Sequence, residues 1–497
     1  MLRARHVLAF STMLLGLAAC ADETTSQTDD TDLTSITARS RTLEFVGTVF
    51  VDSGASTEAI TSAVRTQAQT AFGALRTQNM AVNSRELREI DTASFVKREV
   101  QVVDGSSTSK MLEVNYTYKD NAVVDVSYAD RTSTPLALMN PSYKTQLDRV
   151  IRECTANDEE AREFRSSAWY VFEPKLAGCQ DAIRKEQTRI DADRAKLTDR
   201  TKQVPKSEVD RLYLPITAKL GADKTNQGNS YPDYQKLYAG GVQKDKLVIS
   251  FVYGMIDHGE GTAYNEDPGW RELVTMLDET TEGFSVVPGP DQADLSDFTR
   301  QKPKFRDLMK AKNLHRDLAE RMHEKWITLE KPIKVAIGNE APRDFAIQFL
   351  VYFGAGSSSR PHKLATKNSD VFLYNGHSSI GYGPLDPKNF SASDFPSTYQ
   401  LLWIDSCVSY NYYEKDYIPL KQGGTKNLDL ITNGIESPAW QSGHAMGQFI
   451  TRLLDGTGAS YRDLLIAAEA TEPSLRVVDG ELDNTYTPAT KIRVSPR

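Results

Sequence analysis

A histidine and a cysteine each follow a strongly apolar segment in the C-terminal half of the chain. His377 comes directly after VFLYNG (371–376), and Cys407 comes after LLWID (401–405) and one serine. Short, continuous apolar runs are typical of strands buried on both faces of a parallel sheet. If the two strands are neighbours, the imidazole and the thiol leave the sheet at one edge, where the imidazole can raise the thiolate fraction. The spacing therefore predicts a nucleophilic cysteine with a histidine base.

The elements that must position these residues recur through the second half of the sequence. Apolar runs of strand length alternate with segments at helical spacing, which predicts an α/β domain with a mostly parallel sheet flanked by helices over 240–497. Ligand sites of such sheets lie beyond the carboxyl ends of the strands. The predicted strands are 247–256, 284–289, 333–338, 346–354, 371–376, 401–405 and 428–434, and the predicted helices are 269–279, 303–326 and 442–455.

The first half of the chain predicts a smaller α+β module over 41–140 and a charged helical connector over 141–212. The module has strand patterns at 42–51, 95–104, 111–119 and 122–130, a helical pattern at 57–76, and a hairpin turn at Asp120-Asn121. Ile183, Ile190, Leu197 and Val204 form an apolar stripe along the connector, and Pro205 is expected to end that helix. Residues 214–245 are rich in Gly, Asn, Lys and Tyr and are expected to be a connection.

The first 19 residues have the pattern of a secretory signal peptide, with Arg3 and Arg5 before an apolar run at 7–17. The run ends in Leu-Ala-Ala-Cys (17–20), which resembles the lipobox of bacterial lipoproteins. That resemblance implies a fatty-acylated Cys20 and membrane contact through the N-terminal lipid only. The acidic, Ser- and Thr-rich composition of the following residues predicts a flexible tether over 20–40. The residue after Cys20 is Ala21 and not the aspartate associated with inner-membrane retention, so we expect an outer-membrane location in a bacterial cell envelope.

The net charge and the cysteines of the chain indicate which binding partners, disulfides and cofactors to expect. The 497 residues carry a formal charge of −8, which argues against nucleic-acid binding. In an exported chain, the simplest expectation for Cys154 and Cys179 is a disulfide, which leaves Cys407 as a free thiol. A buried structural cysteine fits the position of Cys407 equally well. The sequence holds no His-Glu-x-x-His and no paired Cys-x-x-Cys, so we expect no metal and no cofactor, and nothing in it indicates Ca²⁺.

The segments VFLYNGHSS (371–379) and LLWIDSCVS (401–409) resemble the caspase, gingipain, metacaspase and clostripain group of cysteine peptidases, called clan CD. The resemblance covers roughly residues 245–470. It implies a caspase-like domain in which His377 is the catalytic histidine and Cys407 the nucleophile. It also implies an oxyanion hole formed by the backbone amides of Ser378 and Cys407, and a pocket for Arg or Lys lined by Asp405. Asp257, at the end of the first strand, is a candidate second acidic wall of that pocket.

The sequence departs from the family pattern at two places. Ser378 stands where the family has Gly, and Val-Ser-Tyr follows Cys407 where metacaspases have His-Ser-Gly. His258 also follows an apolar run and is a rival base, but the family places its histidine strand shortly before the cysteine strand, which favours His377. We therefore expect a lipid-anchored cysteine endopeptidase acting on peptides or proteins, after Arg or Lys. The alternative is a catalytically inactive caspase-like surface lipoprotein with a binding or scaffold role.

Overall fold

The structure, a computed structural model, describes residues 31–257, 261–295, 315–455, 458–469 and 474–497. The predicted signal peptide, Cys20, most of the predicted tether and His258 lie outside the described residues. From Thr31 onward the chain forms one compact unit. Its first strand pairs with the C-terminal region, so the end of the expected tether, residues 31–40, belongs to the fold.

The strands occur where apolar residues alternate or run continuously. They are β1 (Leu33–Thr34), β2 (Ala38–Asp52), β3 (Met80–Val82), β4 (Val96–Asp104), β5 (Ser107–Asp125), β6 (Ser133–Met139), β7 (Gln203–Pro205), β8 (Tyr213–Leu220), β9 (Lys246–Gly254), β10 (Ser285–Val287), β11 (Lys325–Ile337), β12 (Arg343–Gly354), β13 (Val371–Asn375), β14 (Gln400–Asp405), β15 (Leu428–Asn433), β16 (Arg476–Asp479) and β17 (Ile492–Pro496).

The helices connect these strands and cover the sheets. They are α1 (Thr57–Gln69), α2 (Ala71–Arg76), α3 (Leu147–Cys154), α4 (Asp158–Glu163), α5 (Ala177–Arg194), α6 (Lys206–Val209), α7 (Tyr234–Ala239), α8 (Pro268–Thr280), α9 (His315–Met322), α10 (Arg360–Asn368), α11 (Ser409–Tyr417), α12 (Ser442–Leu454) and α13 (Tyr461–Ala468). Within the described ranges, none of the helices is long and apolar enough to cross a membrane.

The strands form two mixed sheets, which makes the protein a mixed α/β fold. The C-terminal sheet has the order β1-β16-β15-β14-β13-β9-β12-β11-β10, with β17 paired to β11. Its centre, from β15 to β12, is parallel, and its outer pairs are antiparallel. The central strands are buried along nearly their whole length, as expected of strands covered on both faces.

The N-terminal sheet has the order β6-β8-β2-β5-β4-β7, with β3 paired to β5. The hairpin predicted at Asp120-Asn121 is wrong, because β5 continues through both residues and pairs there with β2. The turn lies instead at Gly105, whose φ of +59° suits glycine, between β4 and β5. Strand β8 occupies part of the segment that was expected to be a connection.

The charged region contains shorter helices than its apolar stripe predicts. Helix α5 ends at Arg194, so Leu197 and Val204 lie outside it, and Pro205 belongs to strand β7. Cys154 of α3 and Cys179 of α5 form a disulfide, which confirms the expected pairing. Both cysteines are fully buried. The disulfide joins α3 to α5, and both cysteines pack in the hydrophobic core beside the N-terminal sheet.

The two sheets share one hydrophobic core. Phe72 of α2 stacks on Tyr412 of α11 with ring centroids 6.0 Å apart. Asn411, also on α11 and fully buried, donates hydrogen bonds to the carbonyls of Val82 and Ser84 and accepts one from the backbone N–H of Glu86. The N-terminal sheet and its helices therefore pack directly against the helix that follows Cys407.

Candidate catalytic site at the strand ends

Strand register brings the histidine and cysteine segments to one edge of the C-terminal sheet. β13 lies between β9 and β14 and is parallel to both, with Asn375 opposite Tyr253 on one side and Asp405 on the other. His377 and Cys407 are each two residues beyond this pair. The chain runs from β9 to β12 on one side and returns to β13 on the other side of β9. This change of direction marks the ligand crevice of an open α/β sheet.

His377 is exposed, and its ring is held by the end of the neighbouring strand. Its Nε2 lies 3.0 Å from the carbonyl oxygen of Ile256. Because a carbonyl only accepts hydrogen bonds, Nε2 carries the proton and Nδ1 is the unprotonated nitrogen of the neutral ring. The hydroxyl of Tyr374 donates to the His377 carbonyl at 2.9 Å, which fixes the backbone at this point. Nδ1 is therefore the atom that can accept a proton.

Ser378, the residue after His377, has an ordinary backbone. Its φ of −75° and ψ of −20° lie in the right-handed helical region that any residue adopts. The positive φ angles of this loop fall on the next two residues, Ser379 and Ile380. The Ser378 carbonyl accepts a hydrogen bond from the Tyr413 hydroxyl at 3.1 Å. A serine side chain at 378 thus imposes no backbone strain on the loop.

Cys407 is a half-buried free thiol at the turn between β14 and α11. The turn is tight, with Val408 at a φ of +51° and its N–H bonded to the carbonyl of Ile435 at 3.0 Å. Burial, together with a smaller contribution from the nearby carboxylate of Glu436, raises the pKa of the Cys407 thiol to about 11. The Ser437 backbone N–H opposes this rise by donating to the sulfur. The resting thiol is therefore protonated at neutral pH.

Tyrosines and an arginine from the N-terminal half complete the surroundings of the thiol. Tyr170 is one of the aromatic groups electrostatically coupled to Cys407, together with Tyr374, Tyr412 and Tyr413. The guanidinium of Arg76 lies 4.5 Å from the centre of the Tyr170 ring and forms an ion pair with Glu436. Its charge lowers the pKa of Cys407. Sequence reasoning missed both Arg76 and Tyr170, because nothing in the pattern of the first half points to the second sheet.

Asp405 is fully buried at the end of β14, and only one of its two carboxylate oxygens accepts hydrogen bonds from the described residues. Its Oδ1 accepts hydrogen bonds from the Asn433 amide and, at 2.9 Å, from the Ser437 hydroxyl. Its Oδ2 accepts none from the described residues. Burial raises the pKa of Glu272 on α8 to about 7, and the charge of Asp405 adds to that rise. Glu272 is thus a second acidic group near Asp405, and sequence reasoning missed it.

Asp257, the candidate second acidic wall of the pocket, follows β9, which lies on the other side of β13 from β14. It is half-buried at the end of β9, and its backbone N–H donates to Asp267 at 2.9 Å. Asp267 also caps α8 through the N–H of Gly269. Because β13 separates β9 from β14, the backbones at Tyr253 and Asp405 are two inter-strand spacings apart, about 10 Å, and Asp257 is four residues beyond Tyr253. The role of Asp257 as an acidic wall stays a prediction.

The edge also offers backbone donors. The N–H groups of Ser378 and Cys407 donate no hydrogen bond to any described residue. Across the described ranges, no group of His, Cys, Asp and Glu is arranged to hold a metal ion.

No protein-family model, curated protein or solved structure matches this chain. The chemistry of the site must therefore be argued from its own residues.

Proposed function

We propose that the protein is a cysteine endopeptidase with a caspase-like catalytic domain, in which His377 is the base and Cys407 the nucleophile. The observation that carries the proposal is the register of β13 with β14, which sets both residues two positions beyond the Asn375–Asp405 pair. Acyl transfer needs a nucleophile, a base and backbone N–H groups that can bind the oxyanion. This sheet edge offers all three, because the N–H groups of Ser378 and Cys407 donate to no described residue.

The chemistry follows from a neutral dyad. As the Cys407 sulfur attacks the scissile carbonyl carbon, its proton passes to Nδ1 of His377, and the carbonyl oxygen becomes an oxyanion facing the N–H groups of Ser378 and Cys407. Collapse of this intermediate breaks the C–N bond, and His377 returns the proton to the leaving amine. Water then attacks the thioester, with His377 again accepting a proton, and releases the acid and the free thiol.

The acidic groups beside the nucleophile support a preference for a basic residue before the cleaved bond. The Asp405 Oδ2 has no hydrogen-bond donor among the described residues, and an arginine or lysine side chain would supply one. Glu272, whose pKa burial raises to about 7, lies within electrostatic reach of Asp405, and a bound cation would favour its ionised form. Asp257 is then a residue at the rim near His377. The lipid anchor at Cys20 and a place in the bacterial cell envelope remain part of the proposal, because they depend on sequence pattern alone.

The test uses fluorogenic peptides with Arg, Lys or Leu before the cleaved bond and the purified protein. We expect cleavage after Arg and Lys, and a loss of roughly 10³-fold or more in kcat for Cys407→Ala and His377→Ala. His444→Ala is the matched control, because His444 pairs with Glu279 on α8 and should leave the rate unchanged. Asp405→Asn should reduce kcat/KM for the basic peptides more than for the leucine peptide. Equal activity in Cys407→Ala would refute the assignment.

The second candidate function is a surface binding protein without catalysis, and the raised pKa of Cys407 favours it. A peptide chloromethyl ketone that ends in arginine distinguishes the peptidase from the binding protein. It binds as a substrate does and then alkylates a cysteine thiol that a neighbouring histidine activates. Modification of Cys407 that requires His377 supports the peptidase. Modification no faster than that of a simple peptide thiol, together with no cleavage of any peptide, supports the binding role.

A further inference from the structure

A cavity of about 570 Å³ lies in the N-terminal half of the protein. Its walls come from β2, the buried side of α1, β4, β5 and the segment from Arg194 to Leu214. No residue of the strand-end site lines it. The volume falls within the range of pockets that bind small molecules. The cavity is therefore a separate candidate site.

The charges of its walls do not cancel. Four arginines and two glutamates line the cavity: Arg98, Arg194, Arg200, Arg211, Glu113 and Glu208. Arg98 is paired with Glu113, and Arg194 forms a two-pronged ion pair with Glu208. These pairs neutralise two of the arginines. Two guanidinium groups, those of Arg200 and Arg211, remain without a carboxylate partner among the described residues.

The two remaining arginines differ in setting. Arg211 is half-buried and donates only to neutral oxygens, the carbonyl of Tyr213 at 2.9 Å and the side-chain oxygen of Gln187 at 3.1 Å. Burial lowers the pKa of Arg211 below its usual value, although the carboxylates of Glu186, Glu208 and Asp191 act in the opposite direction from beyond ion-pair distance. Arg200 is exposed at the mouth and forms no side-chain hydrogen bond or ion pair with a described residue.

The cavity is also lined by a buried side-chain oxygen that accepts no hydrogen bond from the described residues. Gln67 of α1 is 2% exposed and lines the cavity, and its Oε1 accepts no hydrogen bond from any described residue. Buried side-chain oxygens are nearly always hydrogen-bonded in folded proteins. A ligand that satisfies this oxygen needs an O–H or N–H group, and a ligand that pairs with either of these arginines needs a negatively charged group.

We propose that this cavity, defined by Gln67, Arg200 and Arg211, binds a small organic anion that carries a hydroxyl group beside a carboxylate. Hydroxydicarboxylates and acidic sugars share this chemistry. A ligand carboxylate pairs with Arg200 or Arg211, where bidentate hydrogen bonds are available, and the hydroxyl donates to Gln67 Oε1. The site is independent of the peptidase proposal, since none of its residues takes part in that reaction.

Calorimetry on the purified protein tests the proposal with three probes. Tartrate and succinate are dicarboxylates of equal chain length, and only tartrate carries hydroxyls; glucuronate represents an acidic sugar. We expect tartrate or glucuronate to bind at millimolar concentration or below, and whichever binds identifies the source. Succinate should bind about tenfold or more weakly than tartrate, because it leaves the Gln67 oxygen without a donor. Absence of binding by both hydroxylated probes up to about 10 mM would overturn the proposal.

Three variants locate the site. Arg200→Gln should weaken binding by about tenfold or more, and its exposed position leaves the fold intact. Gln67→Met should remove the difference between tartrate and succinate. Arg189→Gln is the control, because Arg189 is an exposed arginine of the nearby helix α5 and does not line the cavity. Equal weakening in Arg189→Gln and Arg200→Gln would show a general charge effect and overturn the assignment.

Discussion

The Cys407 thiol should react slowly with alkylating agents at neutral pH. Its pKa is about 11, mainly because of burial. At pH 7.5 the thiolate fraction of such a thiol is roughly 300-fold smaller than that of a free cysteine with a pKa near 8.5. A more basic thiolate is a better nucleophile, which offsets about tenfold of this difference. We therefore expect iodoacetamide to alkylate Cys407 on the order of 30-fold more slowly than a simple peptide thiol.

The assay is quenched alkylation followed by mass spectrometry of the Cys407 peptide, as a function of pH. Because the thiol is protonated below its pKa, the rate should rise without a plateau through the region near pH 8.5 where the reference peptide levels off. A plateau below about pH 7 would refute the reasoning, since it would show a thiolate already stabilised in the resting protein. The disulfide cysteines, which stay unmodified without reductant, provide an internal reference.

A substitution at Glu436 tests the electrostatic part of the explanation. Glu436→Gln removes the carboxylate that raises the pKa of Cys407 and leaves Arg76 in place, so alkylation at pH 7.5 should become faster, by about tenfold for a like charge in close contact. Glu160→Gln is the matched control, because Glu160 also pairs with Arg76, at 3.7 Å. Equal rates for the two variants would show that burial alone sets the pKa.

Three further predictions concern stability. Asn411→Ala removes three buried hydrogen bonds between the sheets and should lower the free energy of unfolding by about 2–4 kcal/mol in urea titrations, whereas the exposed Asn368→Ala should cost under about 1 kcal/mol. Replacing both Cys154 and Cys179 by Ser opens a loop of sequence separation 25 and should cost about 3 kcal/mol in the same titrations. Burial raises the pKa of Glu481 to about 8. Its contribution to the free energy of unfolding is therefore full below the pKa of the unfolded chain and is lost as pH rises through about 8. In Glu481→Gln the free energy of unfolding should fall less steeply between pH 5 and 8, and an unchanged slope would contradict this.

The parallel centre of the C-terminal sheet was predictable because its strands are short, apolar on both faces and bounded by turn residues. β9, β13, β14 and β15 lie within two residues of the predicted segments. The adjacency of β13 and β14 did not follow from the apolar pattern alone, since the order of strands in a sheet depends on the connections between them. Sequence pattern therefore left this adjacency as a condition of the predicted site, and the structure shows β13 paired with β14.

The N-terminal half was less predictable because its strands are half-exposed and unusually long. β5 spans 19 residues and keeps its pairing with β2 through Asp120 and Asn121, a pair that usually indicates a turn. The carboxylate of Asp120 is instead used to accept the backbone N–H of Ser84. Tertiary pairing overrode the local turn signal here, and sequence pattern gives no warning of such a partner.

The environment of the Cys407 thiol depends on both halves of the chain. Ser409, at the start of α11, is two residues beyond Cys407, and the next turn of the same helix carries Asn411 and Tyr412, which the N-terminal half holds through hydrogen bonds and through Phe72. A shift of the N-terminal sheet would therefore move the helix that sets the position of the thiol. The same contact brings Arg76 to Glu436, the carboxylate that raises the pKa of that thiol. Because one core spans both sheets, the reactivity of Cys407 is a property of the whole folded unit and not of the C-terminal sheet alone.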